Sequence, residues 1–222
     1  VVQVRCRALN ESGYWSDWSD PISPIIKDIR APVKGPEFWR IVQSNHLQKG
    51  DNITLKWQPV KDPFLCSPVE YEVLYEKSDV VISSIYIGNS TNYTFALQNS
   101  VVTVTTVRAH NALGHSSMNR NLLLSQRMST VQAVESLEVH PLNKSVVAVW
   151  SLLPVEYKVL EFVLEWKNLR DESHVRWEYI PPNVSRYYIK DHFFTIEKYQ
   201  FSLTPVFLEG VGSPKITYEF SK

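Results

Sequence analysis

Several things are scarce in these 222 residues. There are two cysteines, Cys6 and Cys66, and seven glycines. Two thiols cannot staple a disulfide scaffold, so the fold has to hold by packing. Few glycines leave little material for phosphate-cradling loops, and Gly210-Val211-Gly212 lacks the third glycine of a dinucleotide fingerprint. Basic excess is missing as well, since 23 Lys and Arg face 23 Asp and Glu. That balance argues against a nucleic-acid-binding face. No run approaches the roughly 18 apolar residues of a membrane helix, and Val1 to Arg7 carries no signal peptide.

Catalytic constellations are absent too. The histidines at 46, 110, 115, 140, 174 and 192 are scattered, with no H-E-x-x-H. His110 and His115 read as exposed turn residues rather than ligands. Carboxylate pairs such as Glu70 and Glu72 fit solvated strand faces. No catalytic, cofactor-binding or metal-ligating residue is assigned, and an enzyme is not expected.

What is abundant is asparagine in one context. Six N-x-Ser/Thr sequons occur, at Asn10, Asn52, Asn89, Asn92, Asn143 and Asn183. Chance predicts roughly two for this composition, so the excess favours a glycoprotein of the secreted or cell-surface kind. With no signal peptide, a piece of a longer precursor is expected. In that oxidising setting Cys66, in a loop between Pro63 and Pro68, reads as a free thiol, partly buried or available for intermolecular pairing. Cys6, in step with Val4 and Ala8, reads as a small inert hydrophobe.

Period-two alternation runs through the chain. It is visible at Val2/Val4/Cys6/Ala8, Ile53/Leu55/Trp57, Tyr71/Val73/Tyr75 and Val102/Val104/Thr106, then at Val147/Val149/Ser151, Phe162/Leu164/Trp166 and Phe201/Leu203/Pro205. Short strands between Pro, Asn, Asp and Gly clusters predict an all-β chain of antiparallel sandwiches. An internal repeat sets the spacing. Residues 7 to 13 match residues 108 to 114 at an offset of 101, and a weaker copy ends at Gly210-Val211-Gly212-Ser213-Pro214, 98 residues further on. A period near one hundred is one sandwich. Pro32 to Pro36 and Met128-Ser129-Thr130 are the expected connectors. Residues 1–30 then form the last two strands of a truncated domain, followed by complete domains at 31–128 and 129–222. Trp57 and Trp150 are expected at their centres.

Trp15-Ser16-Asp17-Trp18-Ser19 follows a strand carrying Arg5 and Arg7. Two indoles three residues apart on one extended segment can interleave with guanidinium groups on the next strand. Ser16 and Ser19 can bond the neighbouring backbone. The five residues resemble the WSxWS box of class I cytokine receptors, in which the box is structural. The resemblance implies tandem fibronectin type III (immunoglobulin-like) β-sandwiches in the extracellular part of a single-pass receptor. It implies a membrane segment beyond these residues and a cytokine as partner. That cytokine is expected to bind mainly an upstream module, with weak or no binding here; Tyr14, crowded by any glycan on Asn10, is the one loop residue placed to touch it. The paired tryptophans also resemble a C-mannosylation acceptor. On this reading residues 36 to 222 are a membrane-proximal stalk that couples cytokine binding to signalling, with receptor–receptor contacts as a second role. A fibronectin-type adhesion or matrix protein is the alternative, and an enzyme with accessory sandwiches is a distant third.

Overall fold

The computed structural model describes residues 2–7, 14–22, 28–43, 52–77, 80–96, 103–124, 128–142, 145–194 and 196–220. Two copies of one β topology follow each other. In the first, β1 (Phe38–Gln43), β2 (Asn52–Trp57) and β5 (Asn92–Ala96) form a three-stranded antiparallel sheet. Facing it is a sheet of β4 (Val80–Gly88), β3 (Glu70–Lys77) and β6 (Thr103–Asn111), with β7 (Gly114–His115) and β8 (Asn121–Leu124) both paired to β6. After a 3₁₀ turn at Met128–Thr130 the order repeats. Here β9 (Val134–Leu142), β10 (Ser145–Leu152) and β13 (Arg186–Ile189) form the smaller sheet. The larger one holds β12 (Asp171–Ile180), β11 (Val159–Asn168) and β14 (Lys198–Phe207), with β15 (Gly210–Val211) and β16 (Lys215–Phe220) on β14. The chain is all-β, and each repeat sets three strands against five, the last two of them both paired to one neighbour, in the manner of a fibronectin-type sandwich.

Alternation explains the burial. Strand β2 points Ile53, Leu55 and Trp57 inward, and β11 points Phe162, Leu164 and Trp166 inward. Trp57 and Trp150 are buried at the centres, each against an aromatic neighbour (Tyr71 and Phe162). Two predicted faces are inverted. On β6 the core side is Thr105, Val107 and Ala109, so Val104 and Thr106 lie on the other face; Val102 lies outside the described residues. On β10 the core side is Val146, Ala148 and Trp150, which puts Val147 and Val149 on the opposite face. Both strands carry apolar or β-branched residues on both faces, where period two cannot tell inside from outside. A slip of one residue then flips every side chain.

The repeat also shifts. Gly114 closes the β6–β7 hairpin opposite Asn111 at φ 139°, and Gly210 closes β14–β15 opposite Phe207 at φ 140°. Gly210, not Gly212, is therefore the counterpart of Gly114. Gly212 serves close approach: a Cβ there would sit 2.7 Å from the Phe207 ring and 2.9 Å from the Val131 carbonyl.

Candidate functional site

Three places carry the polar geometry that could link modules: the indole box, the connector before β1, and the joint between the sandwiches.

In the box, Ser16 N–H donates to the Cys6 carbonyl (2.9 Å) while Cys6 N–H donates to Ser16 Oγ (2.9 Å). Ser19 and Val4 repeat the exchange at 2.9 and 3.0 Å, and Ile22 and Val2 bridge next. Box positions advance by three for every two on the facing strand. Two strand residues span about 6.6 Å, so each box residue advances only about 2.2 Å. The segment is therefore not the extended strand expected from the sequence, and residues 2–7 and 14–22 form isolated bridges instead of strands. The period of three explains why serines at 16 and 19 share the backbone-facing side and tryptophans at 15 and 18 share the other. The Arg5 guanidinium lies 4.5 Å from both the Trp15 and Trp18 rings, and Arg7 lies 6.0 Å from Trp15. Tyr14 is almost fully exposed. Cys6 is exposed rather than cored, because no described residue covers the side holding Val2 and Val4. Asn10 lies outside the described residues.

The connector is clamped, not loose. Asp28 Oδ1 accepts the backbone N–H groups of Cys66 (2.6 Å) and Ser67 (2.9 Å), and Oδ2 accepts Asn111 Nδ2 (2.9 Å). The Ser67 and Cys66 amides, with Asn111, hold the Asp28 carboxyl below its ordinary pKa of 3.8. Arg30 pairs with Asp62 at 3.1 Å and lies over the Phe64 ring. Gly35 N–H donates to the Met118 carbonyl, and a Cβ on Gly35 would meet the Val107 carbonyl at 2.7 Å. Cys66 is a free thiol beside this clamp and is exposed, not partly buried, since its loop turns the side chain outward.

The joint is the largest assembly. Arg120, just before β8, lies 3.5 Å over the Tyr179 ring, bonds Glu161 and stands 3.6 Å from Glu37. Tyr179 donates its hydroxyl to the Phe38 carbonyl and meets Trp39 edge-on. Burial raises the Tyr179 pKa and keeps that proton on. Val163, Val206 and Val211 of the second sandwich belong to the first sandwich's core cluster. A further cluster of Met128, Ala133 and Phe207 buries the two ends of the linker, and Ser213 N–H ties to the Val131 carbonyl at 2.8 Å. Beside it lies a cleft of about 380 Å³ lined by Trp39, Arg40, Glu165 and Thr204. Burial pushes the Glu165 carboxyl up to about 7, against the pull of Arg40, the Trp39 indole, Thr204 and Lys167.

The sequons do not spread evenly. Asn52 and Asn92 share the outward face of the β1–β2–β5 sheet, and their sequon hydroxyls, Thr54 and Thr94, bond each other at 2.8 Å. Asn89 is exposed in the turn before β5, Asn183 is exposed before β13, and Asn143 lies outside the described residues. His110 and His115 pair across the β6–β7 turn, rings 5.1 Å apart. Among the described residues no group of three His, Cys, Asp or Glu side chains could hold a metal ion, and no helix is long and apolar enough to cross a membrane.

No protein-family model matches the chain. Curated relatives do, over its entire length: it is 49% identical to the rat leptin receptor and 46% identical to the human one. The chain is a leptin-receptor-like member of the cytokine receptors. It spans 19% of the length of those relatives. The human interleukin-6 receptor subunit beta is 28% identical over 97% of the chain and 23% of its own length. Among solved structures, the FN1–FN3 domains of chicken CNTN1 cover 99% of the leptin-receptor-like chain and 77% of their own (13% identity, TM-score 0.38). A two-domain fibronectin type III segment of chicken tenascin covers 84% and 99% (12% identity, TM-score 0.37). Like its relatives, the leptin-receptor-like chain belongs to the cell surface, on the extracellular side, and is not an enzyme.

Proposed function

We propose that the two sandwiches, at 31–128 and 129–222, are a stiff membrane-proximal stalk of a leptin-receptor-like receptor. Residues 1–30, with the Arg5–Trp15–Trp18 ladder, end the module that meets a leptin-like cytokine. The stalk sets the spacing between that module and the membrane segment expected beyond these residues, and this fragment alone binds cytokine weakly or not at all. One observation carries the reading: the apolar core runs unbroken from Phe38 and Trp39 to Val163, Val206 and Val211, locked by Arg120 across Tyr179 and Glu161.

Ligand binding shifts an equilibrium only through differences between two states, and a floppy linkage would average such differences away. Interfaces between domains in one chain are mobile unless large and apolar, and this joint has an apolar seam into which Met128 and Ala133 of the linker are buried, flanked by the Arg120–Glu161 pair. Small-angle scattering of the glycosylated chain tests the reading. A single narrow distribution of maximum dimension is expected; a broad one would refute stiff coupling.

A further inference from the structure

The end of the second sandwich remote from the joint presents apolar side chains on a rigid mount. Lys198 opens β14 there, opposite Phe220 at the end of β16. The loop entering β14 exposes Phe194 (69%) and Ile196 (79%), and Phe220 is 54% exposed. Ile196 holds φ 64°, a left-handed conformation that a β-branched residue avoids, and its side chain still points into solvent. Such strain persists only when the surroundings impose it. Here they do: Phe194 N–H donates to Tyr199 Oη (3.0 Å), Glu197 N–H donates to the Phe194 carbonyl, and Phe193 packs on Tyr199 and Phe201. Trp166 Nε1 and Arg176 anchor the loop through Asp191.

Around the tip the carboxylates of Glu197 and Asp191 each meet an arginine, the Glu219 carboxylate beside Phe220 accepts the Phe220 N–H, and two lysines stand exposed. Glu197 is engaged by Asn168 and Arg170, Asp191 by Trp166 and Arg176, and Asp171 by His174. Lys190 and Lys198 are exposed, and the Lys198 ammonium sits 5.5 and 5.6 Å from the Tyr218 and Phe220 rings. Separate apolar tips among lysines and aromatic rings suit a surface with phosphates outside and hydrocarbon just beneath, rather than a flat protein face.

We infer that this pole, with Phe194 and Ile196 at its tip, is a contact for the phospholipid bilayer surface. The inference rests on the stalk reading for its orientation. It would make the joint and the membrane two fixed ends of one rod.

The test holds the chain, made in a glycosylating host with a terminal polyhistidine after residue 222, on phosphatidylcholine vesicles containing a nickel-chelating lipid. Hydrogen exchange of residues 192–198 is compared with that of the free chain. About tenfold slower exchange is expected on vesicles. It should be lost in the double variant Phe194→Ser, Ile196→Asn, whose asparagine keeps the left-handed turn and whose circular dichroism reports folding. Equal exchange in both states overturns the inference, as does equal slowing in the variant. Slowing in the free chain that grows with concentration also overturns it, because a second copy then covers the tip. A narrow scattering distribution with an unprotected tip would remove the bilayer contact and leave the stalk standing.

Discussion

Glu165 shows what one side chain can report about the joint. Its carboxyl sits at about 7 in the fold against an ordinary 4.5, with burial as the chief cause. A raised pKa means the neutral form is favoured when folded, so this stabilisation is complete below about 4.5 and fades as pH rises through 7. Chemical denaturation of the chain between pH 5 and 8 should show stability declining with pH, and Glu165→Gln should flatten that decline. An unchanged slope in the variant would mean the carboxyl is better solvated than its position between Arg40 and Thr204 indicates. Ile196 offers a second residue-level test. Glycine accepts φ 64° without a Cβ penalty, so Ile196→Gly should raise stability by about 1 kcal/mol, read as the midpoint of urea unfolding. Loss of stability would reveal packing by a side chain that is 79% exposed.

Among elements, connectors prove more informative than strands. Asp28 is an acceptor for two backbone amides and one side-chain amide, and its carboxyl lies below 3.8. A depressed pKa contributes above the unfolded value and is lost as pH falls through the folded one, so the clamp should hold at neutrality and open only below about pH 4. Asp28→Ala should speed exchange of the Cys66 and Ser67 amides at pH 7 while the core strands keep their protection. Gly212→Ala drives a Cβ into the Phe207 ring, Pro205 and the Val131 carbonyl, and should cost about 1–3 kcal/mol by overpacking the linker. A thermal melt unchanged from the parent would show that the linker yields freely. Strand existence was legible from alternation at β2, β3, β11 and β14. The clamp was not, because Asp28 and Cys66 are far apart in sequence and no local pattern pairs a carboxylate with distant amides. The inverted faces of β6 and β10 were illegible for another reason: valine on both sides of a strand carries no sign.

For the molecule as a whole, Arg120 and Tyr179 are where stiffness is decided. Arg120→Ala with Tyr179→Phe removes the cation–π contact, the Glu161 pair and the hydroxyl bond to Phe38 while leaving both sandwich centres intact. Scattering should then broaden toward a range of inter-sandwich angles, whereas circular dichroism stays that of two folded sandwiches. A profile identical to the parent would assign stiffness to the buried Met128 linker alone. The sequence by itself determined the all-β class, the near-hundred-residue period, the buried tryptophans and the box with its arginines, because each rests on local spacing that a strand or turn converts directly into geometry. Only the tertiary structure decided that the box winds three residues against two, that Cys6 faces solvent, that Gly210 is the turn glycine, and that two sandwiches share one apolar seam. The winding of the box and the choice of turn glycine depend on local backbone geometry that side-chain alternation does not encode. The seam joins residues as far apart as Phe38 and Tyr179, 141 positions, which leaves no periodic trace in the chain.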